Sequence, residues 1–459
     1  MNSSSVSLER TEAPALLLER AALALHVVLP LPGVTEAYPD CPDFRSMELD
    51  LLSFGFQVDP PFGSQCEVHE PVPLLVRFPD VTGYQSEGRT MRLACAAPQR
   101  RVEVLVSSTA FRDSGFKVWH FIFKPASGER FTEFDLIKLI HLYDGRTEAT
   151  TLRDTVSFDL PGSTGLKGGE LLARLAGASK DVRWQPVAGT VQILTGGELD
   201  RVLDTVRKAR AEGGEENRKL RDWVARDTSE AAMLKACCGI ITGIFDFDQL
   251  DDEEILDTLE PTFECSHLIR LHRCTLVSIS EADRAMEECW ESIGMSPYLL
   301  IPHAVLLNNE ALVNRADRAI GEVLGRKRAG IHSLERARSI ASQSLQRDFL
   351  PNVFNYVTER SLLHKGWESR GGEDKRRQTL RRFEELETAI EVRWTHRREH
   401  GQIAVASLLA LLSVLQVRDV VFEAMGPRVP PLWAWINLGG LALILVLLIF
   451  AFSRAGIRS

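Results

Sequence analysis

Positive charge is not in excess in this chain: 54 Lys and Arg stand against 63 Asp and Glu, a net charge of −9, and the pI is near 5.8. A chain that grips nucleic acid needs a basic field, so nucleic acid is not an expected partner. Paired cysteines are also missing. The eight (Cys41, Cys66, Cys95, Cys237, Cys238, Cys265, Cys274 and Cys289) include no C-x-x-C pair. No basic stretch followed by an apolar run opens the chain. Leu16–Leu31 is apolar, but it carries Glu19, Arg20 and His26 and ends on Pro-Leu-Pro-Gly, which marks a globular element. The thiols therefore read as reduced core residues, and the N-terminal mass as cytoplasmic.

Catalytic signatures are absent too. In Gly162-Ser-Thr-Gly165-Leu-Lys167-Gly168-Gly169 the lysine precedes the glycine. A phosphate loop needs Gly-Lys-Ser/Thr, so the segment reads as a turn before a helix at Glu170–Ala176. His396-Arg-Arg-Glu399-His400 has the spacing of an inverted zinc-protease helix. The only later glutamate that could complete it is Glu423, so the run reads as a basic collar. Cys265, His267, His272 and Cys274 match no zinc spacing, and an extended chain spreads them too widely for one ion. No enzyme activity and no cofactor is implied.

The acidic run Asp246-Phe-Asp248-Gln-Leu-Asp251-Asp252-Glu253-Glu254 departs from a calcium loop at Leu250 and Asp251. Two readings stay open. Asp251 or Asp252 caps a helix over Glu253–Glu260, or Asp246, Asp248, Asp251 and Asp252 hold a regulatory divalent cation.

What the chain does contain is a change of character along its length. Its 459 residues exceed one compact core. Residues 1–14 read as a disordered polar tail. Residues 15–165 read as a strand-rich domain, with strands near Leu23–Leu31, Val72–Phe78, Met91–Cys95, Val102–Ser107 and Phe116–Phe123. Thr132 and Asp135 form a capping-box-like start to a helix ending at Leu142. Residues 166–302 form a mixed segment with a buried run at Ala236–Phe245 and a strand at His267–Ile279. Residues 303–400 read as a helical stalk of three helices, roughly 303–328, 332–366 and 373 onward. The fold class expected is an α+β (or α/β) region followed by long stalk helices and, at 401–459, a C-terminal two-helix transmembrane hairpin.

Two apolar runs carry that last expectation. Ile403–Val417 has fifteen residues, about 22 Å of helix, and needs extension through Arg418-Asp419 to Phe422 to approach the ~30 Å hydrocarbon core. Leu432–Phe452 has twenty-one residues, about 31 Å, and opens on the interfacial aromatics Trp433 and Trp435. Arg393, Arg397 and Arg398 before the first run, with Arg454 and Arg458 after the second, place both termini in the cytoplasm of a multi-pass inner-membrane protein. The lipid bilayer is then an expected partner.

On the first run, Glu399, Gln402, Ala406, Leu409, Ser413, Gln416, Val420 and Glu423 share one helix face. This stripe either lines a pore at an oligomer axis, with Glu399 and Glu423 at its mouths, or packs a hairpin through small residues. The layout of 303–459 resembles the CorA-like divalent-cation transporters. That resemblance implies five subunits, first spans that line a pore, and a Gly-Met-Asn motif, in whose place stand Ala424-Met425-Gly426. The expected function is a homo-oligomeric inner-membrane cation channel, with a divalent cation as substrate or regulator. The alternative is a membrane-anchored sensor or effector whose large cytosolic region binds a ligand or partner.

Overall fold

The computed structural model describes residues 9–10, 14–30, 66–68, 72–77, 81–86, 89–94, 99–111, 114–141, 157–176, 187–194, 197–226, 228–244, 247, 250–258, 267–269, 274–279, 297–326, 329–346, 357–425 and 440. Its strands are β1 (Glu9–Arg10), β2 (Leu17–Leu18), β3 (Ala21–Pro30), β4 (Cys66–Val68), β5 (Val72–Arg77), β6 (Val81–Ser86), β7 (Arg89–Ala94) and β8 (Gln99–Phe111). There follow β9 (Phe116–Pro125), β10 (Phe131–Thr132), β11 (Ser157–Leu160), β12 (Ser163–Leu166), β13 (Ala188–Leu194), β14 (His267–Ile269) and β15 (Cys274–Ile279). The helices are α1 (Glu133–His141), α2 (Gly168–Leu175), α3 (Gly197–Glu212), α4 (Gly214–Val224), α5 (Ser229–Thr242), α6 (Asp252–Thr258), α7 (Pro297–Leu324), α8 (Ile331–Gln346), α9 (Val357–Ser369) and α10 (Gly372–Met425).

A mixed sheet of ten strands runs β12-β11-β5-β8-β9-β3-β13-β15-β14, with β4 also on β8. Within it β13 and β15 are parallel and β3 is antiparallel to both its neighbours. The sequence of β3, AALALHVVLP, shows why it lies at the centre. Seven successive residues, Ala21 to Val27, are buried, so both its faces are covered, as a near-continuous apolar run requires. Leu23, Leu25 and Val27 point into the larger core with Phe121, Phe123, Leu136, Ile137 and Leu234. The alternate residues face the other way, where Ala22, Ala24 and Ile122 meet Leu300 of α7. Farther along that face Phe111, Val118 and Ala188 pack with Ile301, Ala304, Val305 and Leu307 of α7 and Leu363 of α9. Helix, sheet and helix form three layers.

Local chemistry starts these helices. The Asp135 amide donates to Thr132 Oγ1 at 3.2 Å while Thr132 N donates to Asp135 Oδ2 at 2.9 Å, a reciprocal cap on α1. Thr228 Oγ1 accepts from Ala231 N at the start of α5, and Gly243 ends that helix at φ +72°, a left-handed turn that suits glycine.

The chain divides into two units: Met1–Leu312 with Arg347–Lys375, and Val313–Gln346 with Arg376–Ser459. The first carries the sheet. The second is helical, with Ala316, Ile320 and Val323 of α7, Leu334, Ala337 and Ala341 of α8, and Leu386 and Ile390 of α10 forming its core. Arg382 pairs with Asp317 at 2.7 Å, and Arg315 Nε donates to Ser344 Oγ at 2.9 Å. The boundary expected at 302/303 falls inside α7, which begins at Pro297 and holds Pro302 in its second turn. The helix expected over 332–366 is two helices, α8 and α9.

A mixed sheet-and-helix region followed by long C-terminal helices is what the structure shows. Membrane insertion is corrected. Among the described residues no helix is long and apolar enough to cross a membrane. The first expected span is the distal part of α10, a 54-residue helix. Its apolar stretch, broken by Ser407, Ser413 and Gln416 but by no charge, is the fifteen residues Ile403–Val417, about 8 Å short of a hydrocarbon core. Arg418 and Asp419 close one end, and His400 and Gln402 stand at the other. The expectations of a transmembrane hairpin and of ion transport fall with it. The second expected span, 432–452, lies outside the described residues.

Candidate functional site

Three histidines meet on the α7 side of the sheet. The strand register sets His26 of β3 opposite His120 of β9, with Ala188 of β13 on its other side. Alternation carries His26, His120, Ala188 and Thr190 to one face. His26 Nδ1 lies 2.7 Å from His120 Nδ1, and His26 Nε2 lies 2.7 Å from Thr190 Oγ1. The two rings meet edge to face, with centroids 4.9 Å apart. From above, His303 of α7 stacks on His26 at 5.3 Å with the planes 14° apart. His26 and His120 are fully buried, and His303 is 3% exposed. The small neighbours Ala22, Ala24 and Ala188 leave room for this layer of rings.

Burial first, then the charges of His120, His303 and Arg370, hold His26 well below the ordinary imidazole value. Burial, followed by His303, lowers His120 to about 3. Every charged neighbour in those two sets is a cation in its protonated form, so the rings are neutral. Arg370 bonds Glu310 of α7 through Nε at 3.0 Å and Nη2 at 2.6 Å, and donates to Val187 O at 3.2 Å. Val187 N in turn donates to His26 O at 2.7 Å. The Glu310 carboxylate is thus engaged by Arg370.

A neutral imidazole offers one donor and one acceptor. With His120 Nδ1–H donating to His26 and His26 Nε2–H donating to Thr190, the buried His120 Nε2 is left as an acceptor with no hydrogen-bond partner. The opposite tautomers leave it an unpaired donor. The 2.7 Å between Nδ1 atoms is a hydrogen-bond distance. Two nitrogens each ~2.0–2.1 Å from one tetrahedral zinc lie about 3.3 Å apart. The arrangement suits a hydrogen-bonded chain rather than a metal centre.

The residues marked out in the sequence lie elsewhere. Glu399, Gln402, Ala406, Leu409, Ser413 and Gln416 all sit exposed on α10. Ser413 Oγ donates to Leu409 O at 2.9 Å, and Thr388 and Thr395 do the same to Glu384 O and Glu391 O. These hydroxyls are satisfied within their own helix, so they create no demand for a polar pathway. His396 stands 3.5 Å from Glu399 and stacks on His400. Glu423, Ala424 and Met425 fall in the last turn of α10; Gly426 lies outside the described residues.

Asp251 Oδ1 accepts from Glu253 N at 3.0 Å and Asp251 O from Ile255 N at 2.9 Å, which caps α6; Asp252 is its first residue. Asp246 and Asp248 lie outside the described residues, among which no group of three His, Cys, Asp or Glu is placed to hold a metal. The strand expected over His267–Ile279 is the antiparallel pair β14–β15. The glycine-rich run supplies the turn residue Gly162, strand β12, the N-cap Lys167 and the first residues of α2. Cys237 and Cys238 are buried in α5, their thiols pushed up by burial to about 12 and about 11.

Comparison with known proteins adds no relative: no family model matches the chain, and no curated protein or solved structure matches it. The histidines belong to no motif. Their signal is weaker: an ionisable residue at the middle of each of two strands whose neighbours are apolar, His26 in Ala21–Leu29 and His120 in Phe116–Phe123.

Proposed function

We propose that the protein is a non-catalytic, homo-oligomeric effector, in which the three-layered region binds a ligand or partner and α10 is the arm through which copies associate. The observation that carries this reading is the uncovered face of α10. A 54-residue helix is about 80 Å long. Ile390 is its last residue in the helical core. Farther along, Val405, Leu408, Leu409 and Leu412 recur at three- and four-residue spacing on one face. They are 60%, 61%, 57% and 47% exposed. A contiguous apolar stripe of this kind marks an interaction surface.

A second copy suits it because the same stripe occurs on every chain, so one packing arrangement can cover all copies at once. Before the stripe, residues 373–400 interleave acidic and basic side chains, which offers charges of both signs to a like partner. The histidine cluster does not argue for catalysis, since a general base must reach the proton it takes and these rings are enclosed. Light scattering on the full chain tests the reading. The wild type is expected as a multimer, and Leu408→Glu with Leu412→Glu as a smaller species of unchanged helical content. A monomeric wild type refutes it.

A further inference from the structure

We infer that His26, His120 and His303 form a proton-operated latch: uncharged, they hold the first half of α7 against the sheet, and taking up a proton releases it. The inference stands on the cluster's geometry and does not rest on oligomerisation through α10.

The groups that face the cluster come from four elements and one junction. β3 supplies His26, β9 His120, β13 Thr190 and α7 His303. Arg370, after α9, adds a positive charge already spent on Glu310 and Val187 O. The causes that shift His26 and His120 include no carboxylate among the described residues. Where His120 Nδ1–H donates to His26, the acceptor left over for a proton is His120 Nε2, which has no hydrogen-bond partner; in the opposite tautomers that atom is already an unpaired donor. A charged donor left unpaired and dry is costly. Water reaches it if α7 lifts.

Release at this place is also the cheaper movement. Against α7 the sheet presents one large side chain, Phe111, with Val118, Ile122 and the small Ala22, Ala24 and Ala188. Against the opposite helices it presents Leu23, Leu25, Val27, Phe121, Phe123, Val191 and Ile193. Smaller side chains bury less apolar area and hold their cover less firmly. His303 leaves with α7, which removes its stacking on His26 and opens the remaining rings to solvent.

Hydrogen exchange read by mass spectrometry on the full chain, at pH 7.5 and pH 5.0 and corrected for the intrinsic exchange rate, tests the latch. Peptides from Leu300–Leu312 should lose protection at pH 5.0 by roughly thirtyfold for each histidine that charges on opening, while α1 and α5 keep theirs. In His120→Gln the acid-induced loss should shrink by at least tenfold. His303→Gln is the second variant should the first not fold, with a reduction again expected. Equal protection of Leu300–Leu312 at both pH values overturns the latch. So does a loss shared equally by α1 and α5, or an acid response unchanged in the variants.

Discussion

Acid should weaken this fold well before its carboxylates are titrated, and His120 sets the size of the effect. Its imidazole titrates at about 3 when folded, against an ordinary 6.5. The unfolded chain therefore binds the proton that the folded chain refuses, and stability falls as pH drops below about 6.5. At pH 5 the loss is about 2 kcal/mol for His120, approaching ~1.4 kcal/mol for each further pH unit until the folded value is reached. His26 is lowered as well, and adds loss of the same sign. Glu133 acts in the opposite sense. It accepts from Ala15 N and Leu16 N, yet burial outweighs those bonds and raises its carboxyl. Its contribution is present at low pH and lost as pH rises through the raised value, so it offsets part of the histidine effect. Urea titration at pH 7.5, 6.5, 5.5 and 5.0 should show a falling midpoint, with a shallower fall in His120→Gln. A midpoint constant from 7.5 to 5.0, or the same slope in the variant, refutes the reasoning.

Glu310→Gln leaves Arg370, 13% exposed at its side chain, without its counter-charge. The expected cost is about 1–3 kcal/mol at neutral pH, read as a lower melting temperature. Asp251→Ala removes the acceptor for Glu253 N and should cost about 1 kcal/mol. Added calcium or magnesium should then change the melting temperature of neither wild type nor variant; a cation shift confined to the wild type would instead make Asp251 a ligand. Cys237 and Cys238, with thiols held near 12 and 11, should resist iodoacetamide in the folded chain and react once urea unfolds it. Modification of either at neutral pH in the native protein would count against their burial.

Much of the framework was legible because it is written locally. The apolar run of β3, the alternation in β9 and the Thr132–Asp135 pair are short patterns with short-range causes, and each lies where sequence places it. Of the two readings left open for the acidic run, the structure shows the cap at Asp251. The helices at the end were legible as helices, but the apolar content of α10 suggested a bilayer where the described helix supplies too short an apolar stretch. The histidine cluster was not legible. His26 read only as an interruption in an apolar run, and its meaning depends on strand register and on a helix from the far half of the chain. Nothing near His120 in sequence shows that it will stand opposite His26.

That dependence has a consequence for synthesis. His26 meets His120 across 94 positions and Thr190 across 164, and His303, stacked on the same ring, is 303 − 26 = 277 positions away. At ~5–20 residues per second, the last of these emerges roughly 15–55 seconds after the first. Over that interval β3 acquires its flanking strands one after the other, β9 first and β13 next, and its covering helix α7 last. The centre of the sheet thus waits for its cover until α7 is made, and a chaperone at the ribosome exit has that apolar strand to shield meanwhile.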